Sequence, residues 1–457
     1  MIRHKKIPGT ELIAWVAIAL NSTLLFTPLA HGDGNASSSL TLDQALSEAT
    51  LNSPQLQLAK AREDEAKGHK NEALSGFLPV LSATAYHLTN TKYETFAAQI
   101  APNETLPFPE VLPKTSLKFS LSLPLFDGLR NVNQYRASDA ASEASSESRA
   151  WQEFVLSQNV KDTFYRALAA QLLAEVADEN IRTLEDHYAH VQARQKGGIA
   201  TSYDVLRVEV QLDEARSQKI QADDNVVIER KRLARVMGIP EDSRPVAGEL
   251  PVPEEAPRIS RLTAENALQA RKDLEALRLQ EKAADLSDTA AKSWLVPAVG
   301  LMADYEFYDN ADYDLTSSSP YHNAYDFGFY LRWNLFDGGA SIARAQQSGA
   351  QHRQAQARLE IEKQQLPEGL ETWKRRYHYG VSLYETAVSD IRKSEISVRQ
   401  AQEGFRQGVR TVSEQLDAQL DLFRSRANKV NAQLTAAEAL IQLELTVGRK
   451  LTHDDLI

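Results

Sequence analysis

Two carboxylates three residues apart, Glu414 and Asp417, share one face of any helix that carries them. Arg410 stands just ahead of them, and Asp204 lies beside a second glycine-containing segment. In a symmetric assembly such carboxylates would stack into rings that attract cations. Their mutual repulsion would raise their pKa values. The plainer reading is a solvated helix face. His187 and His190, near Glu185 and Asp186, have a spacing that would suit a divalent ion on a helix. A solvated face fits these residues better, so no metal is expected. No phosphate loop, His-Glu-x-x-His or Gly-x-Ser-x-Gly motif is present. The chain reads as a non-enzyme with no cofactor.

Composition narrows the classes further. The 457 residues carry 51 Lys plus Arg against 62 Asp plus Glu, a net charge of -11. That excess of acid disfavours nucleic acid as a partner, because such binding rests on neutralising phosphates. With no cysteine, disulfides, thiolate metal sites and a lipidated N-terminal cysteine are excluded.

The charged candidates flank two turns, Gly197-Gly198-Ile199-Ala200-Thr201-Ser202 and Gln407-Gly408-Val409-Arg410-Thr411. Glycine supplies the left-handed backbone of a tight turn, and Thr201 or Ser202, and Thr411 or Ser413, would cap the helix that follows. The segment before the first turn, Asn131 to Lys196, is 66 residues without proline or glycine. As helix it spans about 100 Å, too long for a compact core, so it must lie along other long helices. Leu416, Leu420, Phe423, Ala427, Val430, Leu434, Ala437 and Ile441 step alternately by four and three, a coiled-coil seam. The first-half counterpart is interrupted by Asp213, Asp224 and Lys231. An ordinary helical bundle is the alternative. Pro367, followed by Gly369, is expected to interrupt and bend the second long helix.

The order of elements is written twice. Leu125-Phe126-Asp127-Gly128 returns as Leu335-Phe336-Asp337-Gly338, a shift of 210 shared by Gly198 and Gly408 and by Gly238 and Gly448. Each half reads helix, strand, strand, long helix, helix, over residues 40–238 and 262–450. A proline-rich connector, 239–261, joins them. Thr41 with Gln44 forms a capping box ahead of the first helix, and Pro54 restarts it.

Strands with one apolar face are expected over 80–90, 116–125, 298–308 and 324–335, with exposed loops at 91–115 and 309–323. A soluble sheet with one buried face is the alternative. In a membrane, four strands cannot close a barrel and open edges are forbidden, so several copies must combine. The N-terminus has a basic start, an apolar stretch from Leu12 to Leu29 and small residues at Ala30 and Gly32. It reads as a signal peptide over 1–32, the alternative being a retained anchor.

The doubled layout resembles the TolC family of outer-membrane efflux and secretion channels. The matching pieces are Leu-Thr-Leu-Asp-Gln-Ala-Leu from Leu40, Phe77-Leu78-Pro79, the repeated Leu-Phe-Asp-Gly and Gly198-x5-Asp204-Val205-Leu206. The resemblance implies a mainly α fold with a β-barrel part: long antiparallel coiled-coil helices and four transmembrane strands per chain, closing as a homotrimer. It implies a location in the outer membrane reaching into the periplasm, among outer-membrane lipid. It implies passive export of small molecules or polypeptides, driven by an inner-membrane pump joined through a periplasmic adaptor. The turns carrying Gly197, Gly198, Gly408 and Thr411 would meet the adaptor. Asp204, Phe405, Arg410, Glu414 and Asp417 fall at gate and constriction positions, where an Arg410–Asp204 link would hold the tip closed beside Phe405. Glu414 departs from the pattern, which has a shorter Asp there. A soluble periplasmic coiled-coil scaffold or adaptor is the competing function.

Overall fold

A computed structural model describes residues 39–89, 95–109, 115–309 and 321–456. The expected signal peptide and most of the 309–323 loop lie outside the described residues.

The chain begins with α1 (Leu42–Asn52) and α2 (Pro54–Ser75). Thr41 and Gln44 form a reciprocal capping box on α1, and Pro54 opens α2 at a position where its missing N–H costs nothing. Strands β1 (Val80–His87), β2 (Thr95–Ala101), β3 (Glu104–Pro109) and β4 (Thr115–Phe126) follow, then α3 (Arg130–Lys196) and α4 (Ser202–Met237). A 3-10 turn, Pro257–Arg261, leads into α5 (Ala264–Ala270) and α6 (Lys272–Ala291). After a second such turn, Lys292–Leu295, come β5 (Ala298–Asp309), β6 (Tyr321–Arg332), α7 (Ala340–Arg406), α8 (Val412–Val447) and α9 (His453–Leu456). Helices α3 and α7 have 67 residues each, and α4 and α8 have 36 each.

The repeated Leu-Phe-Asp-Gly motif launches both long helices. Gly128 and Gly338 take positive φ of 70°. Asp127 accepts a hydrogen bond from the backbone N–H of Asn131 at 2.9 Å, and Asp337 accepts from that of Ser341 at 3.0 Å. Each aspartate satisfies a helix-terminal donor that has no partner within the helix.

Helix α7 runs unbroken through Pro367, against the expected interruption. Leu366 is buried beside Ala267 and Leu274, and Leu370 is buried among Tyr377, Ala439 and Leu443. Packing on both sides of the proline holds the helix where one backbone hydrogen bond is missing. The seam on α8 is buried or half-buried along its length. Val430 joins Leu156, Val160 and Phe164 of α3 in one core, and Leu416 joins Leu184 of α3 in another. The connector straps the halves together. Leu40 bridges to Val246 in parallel, Gln433 donates to the Leu250 carbonyl, and the Tyr377 hydroxyl donates to the Glu254 carbonyl at 3.0 Å.

Strands β1, β4, β5 and β6 form one antiparallel sheet in the order β1-β4-β5-β6. The register aligns Ser82, Ser120, Asp304 and Asp326 in one row and Thr84, Lys118, Glu306 and Ala324 in another. The intervening rows hold Leu81, Leu121, Ala303 and Phe327, then Ala83, Phe119, Tyr305 and Tyr325. Side chains alternate between faces along a strand, so one face is polar and the other apolar across all four strands. Lys118 and Asp304 pair across the polar face at 3.0 Å.

The strand bounds differ from expectation at three places. β1 ends at His87. β6 occupies Tyr321–Arg332, not 324–335: Arg332 pairs with Ala298, the first residue of β5, so Trp333 to Leu335 have no strand to pair with. The proline-rich 91–115 loop contains the β2-β3 hairpin, with Pro107 opposite Ala97. A two-stranded ribbon has two free edges, where proline is tolerated.

Candidate functional site

The two turns are built alike. Gly198 and Gly408 have φ of 74° and 75°. Ile199 N–H returns to the Arg194 carbonyl and Val409 N–H to the Gly404 carbonyl, both at 2.9 Å. Thr201 and Thr411 are the N-caps of α4 and α8. Asp204 accepts from the Thr201 backbone N–H at 2.9 Å and from its hydroxyl at 2.7 Å. Glu414 accepts from the same groups of Thr411 at 2.8 and 3.0 Å. The threonine hydroxyls accept in turn from the N–H groups of Asp204 and Glu414. The two carboxylates therefore occupy equivalent places, each closing a capping box.

Within one chain this engagement acts on Glu414 in the direction opposite to ring repulsion. The Thr411 N–H and hydroxyl, aided by the Arg410 charge, hold its carboxyl below the usual carboxylate range within one chain. Repulsion between carboxylates of neighbouring chains would act against that shift. Asp417 is exposed on α8. The Arg410 stem lies against Gly404, where an added Cβ would come within 2.8 Å of its Cγ. Within one chain no ion pair joins Arg410 to Asp204 among the described residues, whose carboxylate is turned to Thr201.

Phe405 is the best-held of the candidate residues. Arg194, at the end of α3, donates from Nη1 to the Phe405 carbonyl at 2.9 Å and sets its guanidinium carbon 4.3 Å from the ring centroid. The His187 ring meets Phe405 edge-on, with centroids 5.8 Å apart. His187 is buried, its Nε2 has no hydrogen-bond partner among the described residues, and burial with the nearby His190 lowers its pKa to about 4. It is therefore neutral at neutral pH. His190 is exposed, so the two histidines do not converge, and no group of potential metal ligands is found among the described residues. Val191, Val205, Val208, Val412 and Leu416 complete an apolar cluster that joins the tips of both hairpins. Sequence reasoning missed Arg194. Its repeat equivalent is Gly404, so the two halves differ at the position where one grips the other.

Comparison with known proteins places these features. The model of the outer membrane efflux protein family matches residues 45–239 and 263–449, both halves of the repeat. The outer membrane protein TolC of Vibrio cholerae is 22% identical over 424 residues, 90% of this chain and 92% of that protein. The alkaline protease secretion protein AprF of Pseudomonas aeruginosa is 24% identical over 341 residues, 72% of this chain and 68% of that one. Among solved structures, CusC superposes with a TM-score of 0.75 at 17% identity, covering 89% of this chain and 92% of CusC. VceC from Vibrio cholerae gives 0.74 at 16%, covering 90% and 97%. These structures share the fold of long helices with a strand region. The chain belongs to the outer membrane efflux protein family, the TolC family of outer-membrane channels.

Proposed function

We propose that three copies of this chain close a passive exit duct through the outer membrane, serving a tripartite efflux or type I secretion system. The observation that carries the reading is the four-stranded sheet. Its apolar face includes the exposed side chains of Leu81, Phe119, Phe327, Phe329 and Leu331, and the outer edges of β1 and β6 have no strand partner among the described residues. Lipid is the solvent that such a face requires, and lipid forbids open strand edges. Pairing β6 of one copy with β1 of the next supplies a 12-stranded wall, with the polar face inside. No helix among the described residues is long and apolar enough to cross a membrane.

The helices support the same assembly. Leu416 and Val430 of α8 are buried against α3. Their equivalents on α4, Leu206 and Ile220, are exposed, as are Val210 and Val227 on the same face. Since α7 is the repeat equivalent of α3, the α7 of a neighbouring copy is the matching cover.

At the tip, Ile199 and Val409 are 71% and 75% exposed, one on each turn. These aliphatic side chains, with the turns of Gly197, Gly198, Gly408 and Thr411, suit docking of a periplasmic adaptor, which in turn contacts an inner-membrane pump that drives transport. Asp204, Arg410, Glu414 and Asp417 then ring the narrow end as gate and constriction, with Phe405 anchoring it. The proposal is tested by fractionation and bilayer recording. A heat-modifiable trimer in the outer-membrane fraction, forming cation-selective channels whose conductance rises in R410S, is expected. A stable monomer that stays soluble without detergent overturns the duct. Unchanged conductance and cation block in R410S overturn the gate assignment.

A further inference from the structure

The foot of the sheet holds a cavity unlike the rest of the polar face. Its volume is about 590 Å³, between the starts of α3 and α7, the end of α6 and the bases of β5 and β6. Arg130, Arg332 and Arg344 line it, with Trp294 and Trp333. Among the described residues its one lining carboxylate is Asp127, which accepts from the Asn131 N–H and lies 3.8 Å from Arg130. Asp337, close by, accepts from Ser341 and from Arg344 at 3.1 Å. Arg332 has no carboxylate partner among the described residues; its guanidinium carbon lies 5.5 Å from the Tyr330 ring centroid. The indole N–H of Trp294 is shielded from solvent and has no acceptor among the described residues.

The platform under Arg332 is built into the sheet. Tyr330 is paired with Gly300, and a Cβ at residue 300 would come within 2.5 Å of the Tyr330 ring. Glycine therefore lets the ring lie down on the strand. Ala298 and Arg332 share a register position on the polar face, the face of Asp304 and Asp326. The cavity thus opens to the inner side of the proposed wall. It presents an uncommitted guanidinium fork and flat aromatic surfaces. A guanidinium binds a planar oxyanion through two parallel N–H donors, and indoles stack on flat apolar bodies.

We infer that this cavity is a binding station for organic anions, molecules with a carboxylate or similar oxyanion on a flat apolar body. Arg332 takes the anionic group, and Trp294 and Trp333 flank the body. The inference rests on the duct reading for its role in transport, where it assigns a class of cargo. The binding itself can be measured without transport.

The test uses the purified full-length protein in detergent and the quenching of its tryptophan fluorescence by para-nitrobenzoate. The neutral isostere para-nitrobenzyl alcohol and inorganic phosphate serve as comparisons. Saturable quenching by para-nitrobenzoate is expected. The alcohol should not saturate, and phosphate should compete weakly. In R332Q the apparent affinity should fall at least about tenfold, the equivalent of one charge-assisted hydrogen bond. R332K, which keeps the charge without the fork, should fall between. Equal quenching by acid and alcohol in the native protein overturns the inference without reliance on any variant, as does unchanged affinity in R332Q. Loss of channel activity in bilayers with saturable quenching intact would overturn the duct and leave the binding station standing.

Discussion

Arg194 grips Phe405 in two ways at once: its Nη1 donates to the backbone carbonyl, and its guanidinium covers the ring. The contact joins the end of α3 to the end of α7, and so ties one hairpin tip to the other. The charge-assisted hydrogen bond is worth about 1.5–3 kcal/mol and the ring contact about 0.5–1 kcal/mol. R194A should therefore loosen the tip without unfolding the long helices, whose main cores lie elsewhere. The native chain has no cysteine, so spin labels placed by I199C and V409C report the tip-to-tip distance without background. A broader and longer distance distribution is expected in R194A, with R194K partly restored. An unchanged distribution would show that the apolar cluster alone holds the tips.

His187 makes the same joint sensitive to acid. Its ordinary pKa near 6.5 is lowered to about 4 by burial and by His190. The group is neutral in the folded protein. Its contribution is fully present above pH 6.5 and is lost as the pH falls through about 4. A shift of that size corresponds to about 3 kcal/mol at most. Melting temperature should fall between pH 6.5 and 4, and H187F should remove part of that fall. Parallel curves for the two proteins would assign the acid sensitivity to other groups.

Gly380 sets the spacing of α7 and α8. A Cβ there would lie 2.9 Å from the backbone of Ala436. G380A must push the helices apart, at a cost of about 1–3 kcal/mol for overpacking. Gly68 has open space around it, so G68A serves as the control and should be neutral or slightly stabilising. Thermal denaturation followed by circular dichroism separates the two.

The sheet faces predict opposite responses to charge. Phe327 lies on the apolar face and is exposed, whereas Ser120 lies on the polar face. F327R should impair membrane assembly by about 2–4 kcal/mol if it sits at mid-bilayer. S120R should assemble and alter conductance instead. Heat-modifiable mobility of each variant in outer-membrane fractions gives the readout.

Much of this architecture can be read from residue spacing, because repetition and periodicity are local properties. The α8 seam from Leu416 to Ile441 and the alternation from Leu117 to Leu123 each bury or display what their pattern dictates. The end of β6 was not legible. Alternation continues through Trp333, and only the partner strand, which begins at Ala298, stops the pairing. Pro107 and Pro109 hid the β2-β3 hairpin, since proline argues against a strand unless its edges are known to be free. At the tip, Thr201 and Thr411 were readable as caps. The double engagement of Asp204 and Glu414 was not, because a capping carboxylate and a pore-lining one look the same in sequence. Arg194 and His187 meet Phe405 across more than 200 positions of chain, a distance no local pattern spans.

Strands β1 and β6 are unlike in sequence, and they form the two margins of the sheet. A wall closed through them is joined head to tail, each copy offering one margin and receiving the other. One copy with a spoiled β6 can still enter a growing ring through its sound β1, and then prevents closure. Co-expression of such a copy with the native chain would therefore poison whole assemblies, so that inheritance of the defect would be dominant.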